Sequence, residues 1–314
     1  MTERPPRPAR RRVDGVLLLD KPVGVTSNAA LQRARRALRA EKAGHTGTLD
    51  PLASGLLPVL FGEATKFGAE LLDADKAYDA TLALGVTTST GDAEGEVLER
   101  RPVAVVQAQV EAAAARFVGT IEQVPPMHSA LKHAGRPLYA YARAGETVPR
   151  QARKVTIREL RTGAIEGDRL PLSVRCSKGT YVRTLAEDLG AALGCGAHLA
   201  ALRRTRVGPF RLDDAIGLDE LERLPEAARD ERLLPMDSLV DHLPEIRLPP
   251  ALAERFGNGQ AGPPPDPAAA GRFRVRRTGG GFLGLGEIAA DALLHPRRVV
   301  SSLPGAPARG TETL

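Results

Sequence analysis

Tryptophan is absent from this 314-residue chain, cysteine occurs twice, and aromatic residues make up only 4% of it. Two thiols cannot build a disulfide framework, so a small cross-linked scaffold is excluded and a reducing compartment, by default the cytoplasm, is expected. So few aromatics exclude a surface that stacks many bases, which makes each of the 4 tyrosines worth weighing. No apolar run approaches the about 20 residues that span a bilayer, so no membrane association is expected. The apolar run after the basic start, Val16–Leu19, is too short for a secretory signal. The glycines at 44, 47 and 55 are not followed by Gly-Lys-Ser/Thr, and no GxGxxG joins a strand to a helix, which excludes a P-loop and a dinucleotide site. His128 and His133 have a spacing seen in zinc sites, but no Cys-x-x-Cys pair completes one, and Cys195 near His198 reads as a small core residue. Neither a metal nor a cofactor is expected.

What the chain does have is length and apolar content for one large domain and a small one, with 42% hydrophobic residues. Its 44 lysines and arginines against 38 acidic residues give a net charge of +6, compatible with a nucleic-acid partner without establishing one. Residues 1–12 are rich in proline and arginine and read as a disordered tail with non-specific attraction to phosphates.

Gly15–Asp20 reads as a buried strand, broken by Pro22 and Gly24. Ser27 is placed to cap a helix through Ala40, with Leu31, Ala34 and Leu38 on one face and a basic stripe elsewhere. Alternation predicts a strand over Tyr78–Leu84 and a pair, Val155–Leu160 and Leu170–Cys176, around the Glu166–Asp168 turn. Helices are predicted over Gln107–Phe117 and Arg136–Arg143, and from Val182 through Leu193, ended by Gly194. Without regular βαβ alternation, the expected class is α+β with a mixed, largely antiparallel sheet. After Leu243 the prolines multiply, and Phe273–Arg276 and Phe282–Ile288 read as strands around Gly279–Gly281, a small β-rich domain. Residues 304–314 read as a flexible tail.

The segment Gly44–Gly55 is the most unusual. Its glycines permit tight backbone paths, and Asp50 precedes Pro51, which biases it to an extended conformation. A carboxylate on a rigid loop is a candidate nucleophile or base; the competing reading is an aspartate that only caps a turn. Spacing alone leaves both open.

Four stretches carry a more specific signal: Leu19-Asp-Lys-Pro-Val-Gly-Val-Thr-Ser27, Gly44-His-Thr-Gly-Thr-Leu-Asp-Pro-Leu-Ala-Ser-Gly55, Asp75-Lys-Ala-Tyr-Asp79 and Cys176-Ser-Lys-Gly-Thr-Tyr-Val-Arg-Thr-Leu185. With Pro125–Lys132, Arg136–Ala144 and Leu202-Arg-Arg-Thr-Arg-Val-Gly208 in the same order, the chain closely resembles the TruB family of bacterial tRNA pseudouridine synthases from about Val13 to Val300. The resemblance implies a pseudouridine-synthase catalytic domain over 13–243 and a PUA-like RNA-binding domain over 244–303. It implies isomerisation of uridine 55 (tRNA numbering) in the TΨC stem-loop by a cytoplasmic enzyme that needs no guide RNA; a monomer is expected. It further implies that Asp50 is the catalytic carboxylate and that His45, Tyr78, Tyr181 and Leu202 contact the target nucleotide. Arg183 would pair with the aspartate, and Lys21 would stand beside the site.

The reaction breaks the C1′–N1 bond, turns the uracil and joins C1′ to C5, so an anionic nucleophile suffices. The target base must be extruded from a folded RNA. His45 is then suited to fill the vacated space, Tyr78 to stack on the uracil, and Leu202 to wall the pocket. A regular helix would point Tyr181 and Arg183 about 200° apart, so Tyr181 is expected at a strand-to-helix junction made possible by Gly179 and Thr180. Addition of Asp50 to C6, its attack on C1′, and elimination through a glycal all use the same carboxylate and stay open. Two rival readings also stand: an RNA-folding module whose catalysis is dispensable, and a guide-RNA-dependent synthase.

Overall fold

The computed structural model describes residues 9–129 and 131–301. Gly15–Lys21 forms β1 and Ala53–Phe61 forms β3, which pair antiparallel from Gly15–Phe61 to Lys21–Gly55. Both run almost wholly apolar because both faces are covered, the pattern of a buried central strand rather than an amphipathic one. On one side lies α1, Ser27–Ala37, whose Ala30, Leu31 and Ala34 meet Leu17, Leu19, Leu57 and Val59. On the other, Val16, Leu18, Leu56 and Leu60 meet Phe67 and, from the end of the chain, Leu285 and Val300. The cap of α1 is Thr26, one residue earlier than expected, its hydroxyl accepting from the Ala29 amide at 3.1 Å. Ser27 turns inward instead, a difference that matters at the site.

Ala43–His45 (β2) runs along the far end of β3, and Lys76–Leu84 is β4. Gly44, His45 and Ala53–Gly55 are thus strand, and only residues 46–52 form the loop between β2 and β3. The remaining main strands are β5 (Gly119–Gln123), β6 (Arg153–Thr162), β7 (Arg169–Cys176), β8 (Ala197–Val207) and β9 (Ile216–Gly217). Among the described residues, and with the two-residue strands Phe210–Arg211 and Leu233–Leu234, they form an eleven-stranded sheet with the central path β9-β1-β3-β8-β4-β7-β6-β5. Its pairings are antiparallel except β8 with β3 and β9 with β1, the mixed and largely antiparallel sheet expected. Strict alternation in β7 sends Leu170, Leu172, Val174 and Cys176 to one face, where α2 (Gln107–Ala115) and α3 (Val182–Ala192) bury them. The segment predicted as a helix from Arg136 begins as a two-residue strand and is helical only over Leu138–Ala142, since Arg136 and Pro137 pair with His133 and Lys132.

From Glu245 a four-stranded sheet follows, β10 (Glu245–Leu248), β11 (Gly271–Arg277), β12 (Gly280–Ile288) and β13 (Leu294–Val299), closed by the helix Pro250–Gly257. It is pinned to the larger sheet by Arg276 on buried Asp237 at 2.9 Å, by Lys66 Nζ on the Val299 carbonyl at 3.0 Å, and by the tilted rings of Phe67 and Phe282. At the other end, residues 1–8 lie outside the described residues, but Ala9–Arg12 are held on the fold rather than free. Arg11 meets Asp230, Glu226 and the Leu38 carbonyl, and its backbone bonds Arg39 and Glu41. A proline-rich composition reads as a tail; the acidic residues that capture it lie more than 200 positions away and cannot be read locally.

One close approach decides the geometry of the centre. Gly55 sits at φ +100° where β3 runs beside β8, and a Cβ there would stand 2.3 Å from the Arg204 carbonyl oxygen. Gly55→Ala is expected to cost about 2–4 kcal/mol through backbone strain and steric overlap. Urea denaturation of the variant measures it; a loss under about 0.5 kcal/mol would show that these strands part freely.

Candidate active site

Asp50 is carried on loop 46–52, and the loop is fastened from several sides. Ser27 Oγ donates to the Leu49 carbonyl at 2.9 Å and accepts from the Leu49 amide at 2.8 Å, which is why it does not cap its own helix. The Gly24 amide donates to the Pro51 carbonyl at 2.8 Å, and the Ala53 amide closes a turn on the Asp50 carbonyl at 3.1 Å. A side chain between two such anchors loses little further freedom on engaging a ligand.

The Asp50 carboxylate, 44% exposed, meets Arg183 at 2.9 Å between Oδ2 and Nη2. The Arg183 side chain is only 7% exposed and is held further by Asp92 Oδ2 at 3.4 Å, the His128 carbonyl at 2.7 Å and the Thr90 carbonyl at 3.3 Å. Asp92, itself buried, accepts from the Thr90 hydroxyl at 2.5 Å and from the Glu94 amide at 3.1 Å. Sequence reasoning missed Asp92; a carboxylate in a Ser/Thr/Gly turn reads as ordinary turn chemistry.

Tyr181 is the residue before α3, at φ −102° and ψ 110°, so the chain enters the helix there as the side-chain geometry required. Its amide donates to Gln123 Oε1 at 3.1 Å, and Gln123 Nε2 donates back to its carbonyl at 3.3 Å. Gln123, buried at the end of β5, is a second residue the sequence did not single out.

Among the described residues, none of the other expected residues makes a hydrogen bond or ion pair with Asp50 or Arg183. Tyr78 on β4 and Leu202 on β8 pack against the same apolar cluster, beside Leu52 of the loop. Burial pushes the Tyr78 phenol above its ordinary value. His45 at the end of β2 is held below its ordinary value by burial and by the nearby Arg204 cation, so it stands as a neutral imidazole. Its Nδ1 is buried without a hydrogen-bond partner. Lys21, wholly buried at the end of β1, donates to the Pro22 carbonyl at 2.9 Å and the Val25 carbonyl at 2.6 Å. Burial, opposed by the Asp50 charge and reinforced by Arg204, lowers it to about 8. Glu94, beside Asp92 and Asp50, is raised above its ordinary value by burial and by those two like charges. Burial pushes the Cys176 thiol up to about 11, which leaves it inert. Among the described residues no group of three or more His, Cys, Asp or Glu converges as a metal site would require.

The centre is thus a half-open carboxylate held on a buried arginine, with a half-buried phenol and an aliphatic leucine packed on one apolar cluster. Similarity to known proteins identifies the family. The profile described as "TruB family pseudouridylate synthase (N terminal domain)" matches residues 35–182, "tRNA pseudouridylate synthase B C-terminal domain" matches 183–241, and "Pseudouridine synthase II TruB, C-terminal" matches 244–300. A protein of Burkholderia mallei (strain ATCC 23344) named tRNA pseudouridine synthase B is 57% identical over 301 residues, 94% of this chain and 96% of that one. One of the same name from Stutzerimonas stutzeri (strain A1501) is 55% identical over 297 residues, 93% and 97% of the two chains. Among solved structures, a chain of a Cbf5-Nop10-Gar1 complex superposes with a TM-score of 0.68 at 29% identity, covering 87% of this chain and 78% of that one. A chain of an H/ACA RNP bound to a substrate RNA containing 2′-deoxyuridine does so with a TM-score of 0.69 at 26% identity, over 91% and 84%. The chain belongs to the TruB family of pseudouridine synthases.

The lowered Lys21 ammonium has a thermodynamic signature. The unfolded chain holds this proton up to about 10.5 and the folded chain only to about 8, so the unfolded state binds more protons between those values. Stability contributed by this group therefore rises with pH across that window. Lys21→Met is expected to remove the rise, seen as a wild-type-minus-variant stability difference that climbs with pH in urea unfolding from pH ~7.5 to ~10.5.

Proposed function

We propose that this protein isomerises uridine to pseudouridine in tRNA, at position 55 of the TΨC arm, in the cytoplasm, as a monomer and without a guide RNA. The observation that carries the reading is the Asp50–Arg183 pair at 2.9 Å on a loop fastened at Ser27 and Gly24. The names of relatives that match more than nine-tenths of the chain support the substrate.

The target nucleotide swings out of the RNA into the pocket. Neutral His45 takes up space near the vacated stack, where a charged imidazole would be poorly solvated. Tyr78 lies on one face of the uracil, an interaction worth about 1–3 kcal/mol, with Leu202 as the apolar wall and Tyr181 at the mouth of α3. Asp50 then engages the nucleotide as the base is released, turned and rejoined through C5. Arg183 orients the carboxylate throughout, while Lys21 supplies nearby positive charge from below. The domain of residues 244–303 touches the RNA outside the pocket, where phosphate contacts set affinity.

Purified protein incubated with an unmodified tRNA transcript, followed by chemical mapping, is expected to yield pseudouridine in the TΨC arm with no other macromolecule added. Modification elsewhere, or a requirement for a second RNA, would overturn the assignment. Asp50→Ala is expected to abolish conversion while leaving tRNA affinity within about threefold, because phosphate contacts dominate binding. A gel-shift titration beside the conversion assay separates the two.

A further inference from the structure

Arg204 is 1% exposed, and among the described residues it makes no ion pair with a carboxylate. Its neighbour Arg203 has Asp20 at 2.7 Å, and Arg183 has Asp50 and Asp92. A buried guanidinium without a counter-ion is costly, and an apolar side chain of similar volume would serve stability better. The residue is therefore explained by what its donors hold.

Those donors converge on the loop that carries Asp50. Nε donates to the Leu56 carbonyl at 2.7 Å and Nη2 to the Gly47 carbonyl at 3.0 Å, so one planar fork spans the two ends of the segment bearing Asp50. The fit is close: a Cβ on Gly47, at φ +73°, would stand 3.4 Å from Nη1. In the sheet, Arg204 lies opposite Gly55 on one side and Tyr78 on the other. The cation is near enough to the Tyr78 phenol to temper the rise that burial gives it.

We propose that Arg204 is a positioning residue that locks the two ends of the Asp50 loop into one rigid register. This rests on the isomerase reading above and adds to it a residue that touches neither substrate nor Asp50. Lysine cannot replace it, because a single ammonium lacks the fixed fork that serves both carbonyls at once.

The test uses the full chain with Arg204→Lys and Arg204→Met. The single-turnover rate of tRNA conversion is expected to fall about 10²-fold in both, the scale of a small misplacement of reacting groups. Gel-shift affinity for tRNA should stay within about threefold, since phosphate contacts are untouched. Hydrogen exchange should quicken in the amides of residues 46–55 and not elsewhere. Rates within about threefold of wild type, or exchange in residues 46–55 at the wild-type pace, would overturn the proposal. So would a rate that falls only in step with affinity. Wild-type protein that fails to convert tRNA would instead refute the isomerase reading, and the exchange measurement still reports the hold of Arg204 on the loop.

Discussion

A guanidinium buried where water cannot reach it must find its partners within the protein, and Arg183 finds them on three separate pieces of chain. Loop 46–52 supplies Asp50, the turn after β4 supplies Asp92 and the Thr90 carbonyl, and the segment after β5 supplies the His128 carbonyl. The two carboxylates play different parts. Asp92 is as buried as the arginine and serves as its permanent counter-charge, while Asp50 keeps nearly half of its surface open. An arginine satisfied by one aspartate can orient a second without withdrawing it from substrate. The helix α3, the end of β5 and the loop between β2 and β3 are thereby tied to a single point.

Beneath that point lie two further buried cations, Lys21 and Arg204, whose direct acceptors include backbone carbonyls. Both shift the groups around them in the same direction. Arg204 depresses His45 and Lys21 and tempers the rise of Tyr78. The floor of the pocket is therefore positive and poorly hydrated, and a negative charge placed above it is stabilised more than it would be in water. Such a field suits chemistry in which a carboxylate and an electron-rich base share a small volume.

The smaller sheet contributes through rigidity at a distance. Its Leu285, Val300 and Phe282 cover the outer face of β1 and β3, the strands between which Lys21 and the Asp50 loop are hung. Its arginines face Asp237, Asp241 and Glu70 of the larger part, so the contact is charged at the rim and apolar in the middle. The smaller sheet and the strands that carry the Asp50 loop are in this way fixed relative to each other.

Much of this was legible in the sequence because motifs are local. The strand over Leu17–Leu19, the alternation in Leu170–Cys176, the helix from Val182 and the unusual Gly44–Gly55 segment all follow from residue order, propensity and spacing. The resemblance carried by those stretches was enough to nominate Asp50, Arg183 and the residues around them. What the sequence could not decide is which groups are buried together. Asp92 and Arg204 were not singled out, because charge in a sequence reads as solvated until the fold removes the water. Ser27 looked like a helix cap and Arg11 like part of a loose tail, because their partners lie 22 and 219 positions away. Local order determined the elements and the candidate chemistry. Only the tertiary structure chose the partners of each polar group, since desolvation is a property of the assembled interior and not of any stretch of chain.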